Sequence, residues 1–184
     1  MEPIVDFKIL PERLRQAAQV VTVAVASPAD SHTEEVIERS IAEQFARFIL
    51  VANAAKADIA RRLAADYPDK VTLIVAEDDD DAARHAVKEV REGRADVLMK
   101  GSLNTDNLLR AVLNKEEGIL IKGSVLTHIA VADVPSLNHL LFFTDAAVIP
   151  YPTTEQFDAL ARYITATYRS ITAVSARDVT TTGA

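Results

Sequence analysis

The chain contains no cysteine. That excludes a disulfide framework, a thiolate metal site and a cysteine nucleophile, and it suits a reducing cytoplasm. No stretch approaches the roughly 20 apolar residues needed to span a bilayer. The opening residues, MEPIVDFKILPERLRQ, alternate charge with apolarity and lack the apolar block of a secretory leader. Basic residues are in the minority: 20 Lys and Arg stand against 27 Asp and Glu, for a net charge of -7. No basic stripe exists to neutralise the phosphates of a duplex, so nucleic acid is excluded as a partner. A small anion is not excluded, because one local cationic pocket is enough to hold it. No Walker-type loop is present, no His/Asp/Glu spacing points to a metal, and no internal repeat is visible. Glycine and proline are sparse, 5 and 7 residues, which argues against low complexity. The expectation is a soluble cytoplasmic protein with no membrane partner and no resident cofactor or metal.

What is present is a strong α/β pattern. The 184 residues, 49% apolar and 26% charged, are enough for one domain with a real core. The β-branched run Val20–Ala26 reads as a buried parallel strand, and Phe48–Val51, Val71–Ala76 and Ala95–Met99 read as the second, third and fourth strands. Helical patterns separate them. The first follows Asp30 or Ser31 as cap, with Val36, Ile37 and Ile41 on one face. The second runs from Ala54 to Ala65, the third from Ala82 to Val90 with Gly93 as its stop, and the fourth from about Asn104 to Leu113. Further on, Val125–Val131 and Leu140–Phe143 lie too close in sequence for a crossover helix and predict an antiparallel pair. A last helix spans Glu155 to Thr167 or beyond. The alternation predicts a three-layer αβα sandwich with a mostly parallel sheet. It occupies residues 20–170, after a helical lead-in over 1–19 and before a frayed, non-core tail over 171–184.

Four places carry chemistry. The strand ending in Lys100-Gly101 runs into the polar turn Ser102–Asp106 and then a helix. Ligands of open α/β sheets bind at such carboxyl ends, and a helix start favours anions. Here Lys100 supplies charge, Gly101 permits close approach of a ligand, and Asn104 or Thr105 supplies a side-chain donor; the alternative is an ordinary strand–helix loop. The acidic run Glu77–Asp81 invites a metal or phospho-acceptor reading, against which stands a helix start dressed with acids. Thr127-His128 falls inside the fifth apolar run, where alternation sends the two side chains to opposite faces. His128 there is either a proton-transfer group or a core histidine. Thr144-Asp145 ends the sixth run, with Asp145 as binder, base or cap. His32, His85 and His139 read as surface or capping residues.

Taken together, VREGRADVLMKG, the Thr105 turn, LLRAVLNKEEG, the Thr127-His128 strand and LLFFTDAA resemble, in order, the phosphate acetyl/butyryl transferase family, and its butyryl branch most. The similarity is dense from about Ala82 to Thr154 and stays in register from about Val20. The resemblance implies the isocitrate/isopropylmalate dehydrogenase-like fold and a homodimer. It implies transfer of an acyl group between coenzyme A, as a substrate, and inorganic phosphate: acyl-CoA plus phosphate gives acyl phosphate plus CoA. By position, Lys100, Gly101, Asn104 and Thr105 line the phosphate side, Lys122, Thr127 and Thr144 add substrate contacts, and His128 and Asp145 are catalytic. Two substitutions depart from the family. Thr127-His128 replaces Ser-His, keeping a hydroxyl, and Lys122-Gly123 replaces Arg-Gly, losing the bidentate fork. Family chains are also considerably longer, with catalytic serine, arginine and aspartate groups in a second half, and the resemblance fades after about Arg169. The expectation is therefore a form lacking that half and weakly active, with a non-catalytic binder of CoA or acyl phosphate, or another enzyme of the same fold superfamily, as the alternatives.

Overall fold

The structure is a computed structural model that describes residues 6–12 and 20–172. The expected lead-in over 1–19 and tail over 171–184 therefore lie largely outside the described residues. The chain divides into two compact units, Leu14–Lys122 and a second made of Met1–Arg13 with Gly123–Ala184.

In the first unit, four strands form a parallel sheet: β1 (Val21–Ala26), β2 (Ala46–Asn53), β3 (Val71–Ala76) and β4 (Val97–Lys100). The helices between and after them are α1 (Ser31–Ala42), α2 (Asp58–Asp66), α3 (Asp79–Arg91) and α4 (Thr105–Val112). The sheet order is β3-β2-β1-β4. The chain thus walks outward from β1 to β3, then crosses back past β1 to lay down β4. Crossovers of parallel strands are right-handed, so this reversal puts α1 and α2 on one face and α3 on the other.

Strand alternation supplies both faces with apolar side chains. Val23, Val25, Phe48 and Leu50 pack with Ile37 and Ile41 of α1 and with Ala60 and Leu63 of α2. Ala24, Ala26, Ile49 and Val51 pack with Ala82, Ala83, Ala86 and Val87 of α3 and Ala111 of α4. The second layer is built mostly from alanine on both sides of the interface. Small side chains let α3 approach the sheet closely, and this brings its first turn within reach of the strand ends.

The expected helix over 54–65 is split. Asn53 closes its own turn by accepting from the Ala55 amide at 3.0 Å. A 3-10 turn over Ala54–Lys56 results, and α2 starts only at Asp58. At the amino end of β4, Arg94 grips the buried Glu89 with a two-bond fork (Nε to Oε2 2.5 Å, a terminal nitrogen to Oε1 2.7 Å). Asp96 exchanges bonds with Thr22 on β1, through its amide and its carboxylate, both at 2.8 Å. These ties hold β4 in register beside β1.

The second unit holds an antiparallel pair, β5 (Ala130–Asp133) and β6 (Leu140–Phe143), and the helix α5 (Thr154–Thr172). Phe142 meets Tyr168 of α5 edge-to-face with centroids 5.1 Å apart. No helix among the described residues is long and apolar enough to cross a membrane.

Leu50 has no solvent exposure in the middle of the sheet. Leu50→Ala is expected to cost about 2–5 kcal/mol, read from the shift in denaturant midpoint. A loss below about 1 kcal/mol would contradict the core described here.

Candidate functional site

The reversal in strand order makes β1 and β4 neighbours whose connections leave in opposite directions, and ligands of doubly wound sheets bind at the carboxyl ends of such a pair. Two chain segments meet there. One is the turn after β1, Ser27-Pro28-Ala29-Asp30. The other is the turn after β4, Gly101-Ser102-Leu103-Asn104. Their backbones are joined directly: the Gly101 amide donates to Ala26 O at 2.9 Å, and the Ser102 amide to Ser27 O at 2.7 Å. Ser102 Oγ donates to Asp30 Oδ2 at 2.8 Å and accepts from the Ala29 amide at 3.3 Å. The space beside Gly101 is filled by the chain itself, since a Cβ there would lie 2.4 Å from Ser27 O. The close approach that the glycine permits is thus between the two turns.

Asp30 also starts α1, as expected, accepting from the Thr33 amide at 2.9 Å and the Thr33 hydroxyl at 2.7 Å. The Thr33 hydroxyl first, then the Thr33 amide and the Ser102 hydroxyl, hold its carboxyl down to about 2.

Lys100 is solvent-exposed, and its ammonium folds back over its own turn. Nζ donates to Gly101 O at 3.1 Å and to Leu103 O at 3.0 Å. An ammonium has three N–H donors, so one remains for a ligand. Beyond the turn, Asn104 is the N-cap of α4 but makes no side-chain capping bond. The contrast with α1 and α3 is clear, because Asp30 and Asp78 cap those helices. Asn104, Thr105 and Lys122 are all exposed. The turn therefore presents one cation, exposed polar side chains and a helix start whose cap side chain is unused. That combination suits an anion.

The acidic run proves to be a helix start. Asp78 caps α3 and Asp79–Asp81 form its first turn. Asp80 accepts from Asn107 and Arg110 of α4, and Asp81 from the Glu77 amide and Arg84. Asp79 does something the sequence did not disclose. Its Oδ1 accepts from Ser27 Oγ at 3.0 Å and Asn53 Nδ2 at 2.9 Å, and its Oδ2 from Lys56 Nζ at 3.1 Å. The Asn53 amide above all holds its carboxyl below the usual range, against burial, with Lys56 and Ser27 helping. Ser27 follows β1, whereas Asn53 and Lys56 flank the turn that ends β2, and only the fold brings the two segments to one carboxylate. A further groove of about 520 Å³ lies along α3 and α4. Its cations Arg84, Lys88 and Arg91 are matched in number by Asp81, Glu92 and Glu117, with Arg84 and Lys88 paired to Asp81 and Glu92.

In the second unit, Thr127, His128, Thr144 and Asp145 form one network. Asp145 Oδ2 accepts from Thr127 Oγ1 at 2.8 Å and the His128 amide at 3.1 Å. Its Oδ1 accepts from the Ala147 and Val148 amides at 3.1 and 2.7 Å. Thr144 Oγ1 donates to His128 O at 2.7 Å and lies 3.1 Å from Thr127 Oγ1. Burial pushes the Asp145 carboxyl up, but the Val148 amide, the Thr127 hydroxyl and the His128 and Ala147 amides outweigh it and hold it well below the usual range. A carboxylate with both oxygens so engaged anchors its loop. The expected strand over Val125–Val131 begins only at Ala130, so alternation does not place Thr127 and His128. The side chains of Thr144 and Asp145 take the place of a backbone ladder there. His128 is half-buried, and its Nδ1 is buried without a hydrogen-bond partner.

The family described as Phosphate acetyl/butaryl transferase matches residues 67–178. The chain belongs to that family. A phosphate butyryltransferase of Clostridium beijerinckii is 40% identical over 144 residues, covering 77% of this chain and 47% of that protein. A probable phosphate butyryltransferase of Bacillus subtilis is 36% identical over 135 residues, covering 73% and 44%. The crystal structure of a branched-chain phosphotransacylase from Enterococcus faecalis superposes with a TM-score of 0.63 at 23% identity, over 78% of this chain and 49% of that one. The fold is thus that of a phosphotransacylase, and the chain spans under half the length of these curated relatives.

Two outcomes are expected. Gly101→Ala forces the turns apart against backbone and is expected to cost about 1–3 kcal/mol of stability by denaturant titration; an unchanged midpoint would show that the seam yields freely. Asp30 titrates lower folded than unfolded, so its charge stabilises the fold above the ordinary value of 3.8 and that contribution is lost as pH falls toward about 2. Asp30→Asn is expected to lower the thermal midpoint near neutral pH and to converge on the parent as acidity approaches about pH 2. A constant gap across that range would refute the assignment.

Proposed function

We propose that this chain takes part in phosphotransacylation, acyl-CoA plus phosphate giving acyl phosphate plus CoA, with coenzyme A as a substrate and no resident cofactor. The observation that carries this reading is the Lys100–Thr105 turn. A chain of a phosphate acyltransferase family presents, at the β1/β4 switch point, an ammonium with a spare N–H beside a helix start that its cap residue leaves open. Inorganic phosphate matches those donors. In the reaction a phosphate oxygen attacks the thioester carbonyl, the carbon–oxygen bond forms, and the carbon–sulfur bond breaks with the electron pair leaving on the CoA thiolate. Negative charge develops on the carbonyl oxygen, and fixed donors lower that barrier. Lys100, Asn104 and Thr105 are assigned to phosphate, with Gly101 shaping their turn by packing against Ser27, and Lys122, Thr127 and Thr144 are assigned to substrate contacts. His128 is assigned to proton transfer. Asp145, whose oxygens are both engaged, holds the His128 backbone in place. A cytoplasmic homodimer belongs to the same proposal.

The test is acyl phosphate formation by the purified chain from butyryl-CoA and phosphate, with binding of each substrate followed by calorimetry. Lys100→Met is expected to weaken phosphate binding by about tenfold, the loss of one charge-assisted bond. Binding of CoA without turnover would favour a non-catalytic binding domain. Equal phosphate affinity in Lys100→Met and the parent would remove Lys100 from the site.

A further inference from the structure

Ser27 is a non-glycine residue in the left-handed region, φ 55, with 1% of its surface exposed. That conformation is disfavoured for L-residues and persists only where surrounding structure over-determines it. Here three bonds do so. The Ser27 amide donates to Val51 O at 2.8 Å, its carbonyl accepts from the Ser102 amide at 2.7 Å, and its hydroxyl donates to Asp79 Oδ1 at 3.0 Å. The first two are backbone ties between neighbouring strands. The third is the only one of the three made by a side chain, and it reaches across to the first turn of α3. Asp79 is itself fixed by the buried Asn53 and by Lys56. Gly101 sits against the same Ser27 carbonyl.

We infer that Ser27 and Asp79 are positioning residues for the Lys100–Thr105 turn: their bond locks the Ser27 carbonyl in the direction that receives the Ser102 amide and thereby sets the turn. The inference rests on the reading of that turn as the phosphate site. Without the hydroxyl tether, Ser27 relaxes toward an ordinary φ, its carbonyl swings away from Ser102, and the Lys100 ammonium loses the fixed carbonyls around which it folds. Neither Ser27 nor Asp79 needs to touch the ligand for this effect.

Two substitutions separate positioning from stability. Ser27→Ala removes the hydroxyl and retains the Cβ that disfavours a left-handed φ, whereas Ser27→Gly removes both the hydroxyl and that penalty, leaving the carbonyl untethered but unstrained. Asp79→Asn provides a third probe that leaves Ser27 untouched, and Ile41→Val, in the core layer on the opposite sheet face, controls for a general loss of stability. Amide hydrogen exchange at Gly101 and Ser102 and the affinity for inorganic phosphate are measured on the full chain. Ser27→Gly is expected to be more stable than Ser27→Ala, yet both should speed exchange at Ser102 and weaken phosphate binding by about fivefold or more. Asp79→Asn should shift both readouts in the same direction, and Ile41→Val should shift neither beyond its change in global stability. Exchange and affinity that recover in Ser27→Gly along with stability would overturn the inference. If the parent shows no phosphate-dependent change at Gly101–Thr105, the phosphate reading fails, and exchange at Ser102 alone decides whether Ser27 governs the turn.

Discussion

The first unit depends on how closely two bare backbones can approach. Where β1 and β4 end, Ala26-Ser27 and Gly101-Ser102 lie in direct contact, with no side chain between them. Everything of chemical interest in that unit is hung on this seam. It fixes the direction in which the chain leaves β4, and so the place where α4 begins. It places Ser102 against Asp30, tying the same turn to the start of α1. The alanine layer beneath α3 serves the same end from another side, because only a close-packed α3 can deliver Asp79 to Ser27 and Asn53.

The second unit reaches a similar result by other means. Its two-stranded ladder stops at Ala130 and Phe143. Past that point, the side chains of Thr144 and Asp145 hold the His128 backbone, and Asp145 also holds the Thr127 hydroxyl. Both units thus fix a functional-looking loop with short polar side chains acting on main chain, a bond type whose partners are decided by local geometry.

The elements were legible in the chain because period decides them. Val21–Ala26 and Val71–Ala76 are runs of β-branched and apolar residues, Asp30 stands where a cap must stand, and Gly93 ends α3 with a positive φ that suits glycine. Lys100 and Asp145 were legible as candidates because they stand at strand ends. What stayed hidden was long-range. Nothing near Ser27 in sequence announces that its hydroxyl will meet a carboxylate 52 positions away, or that Asn53 will share it. The acidic run drew attention to itself by repetition, yet its members part company in space, and it is Asp79 that joins the ends of β1 and β2. The onset of β5 departs from the apolar pattern for a related reason: apolarity extends back to Val125, but a strand requires a neighbour, and β6 is too short to provide one.

The way Lys100 lies over its own turn has an entropic corollary. A lysine waving in solvent samples many rotamers, and a ligand that recruits it must freeze them at that moment. Here the side chain is already tethered by Gly101 and Leu103 before any visitor arrives. Folding has absorbed the cost of stilling it, so its attraction for an incoming negative group is delivered nearly undiminished.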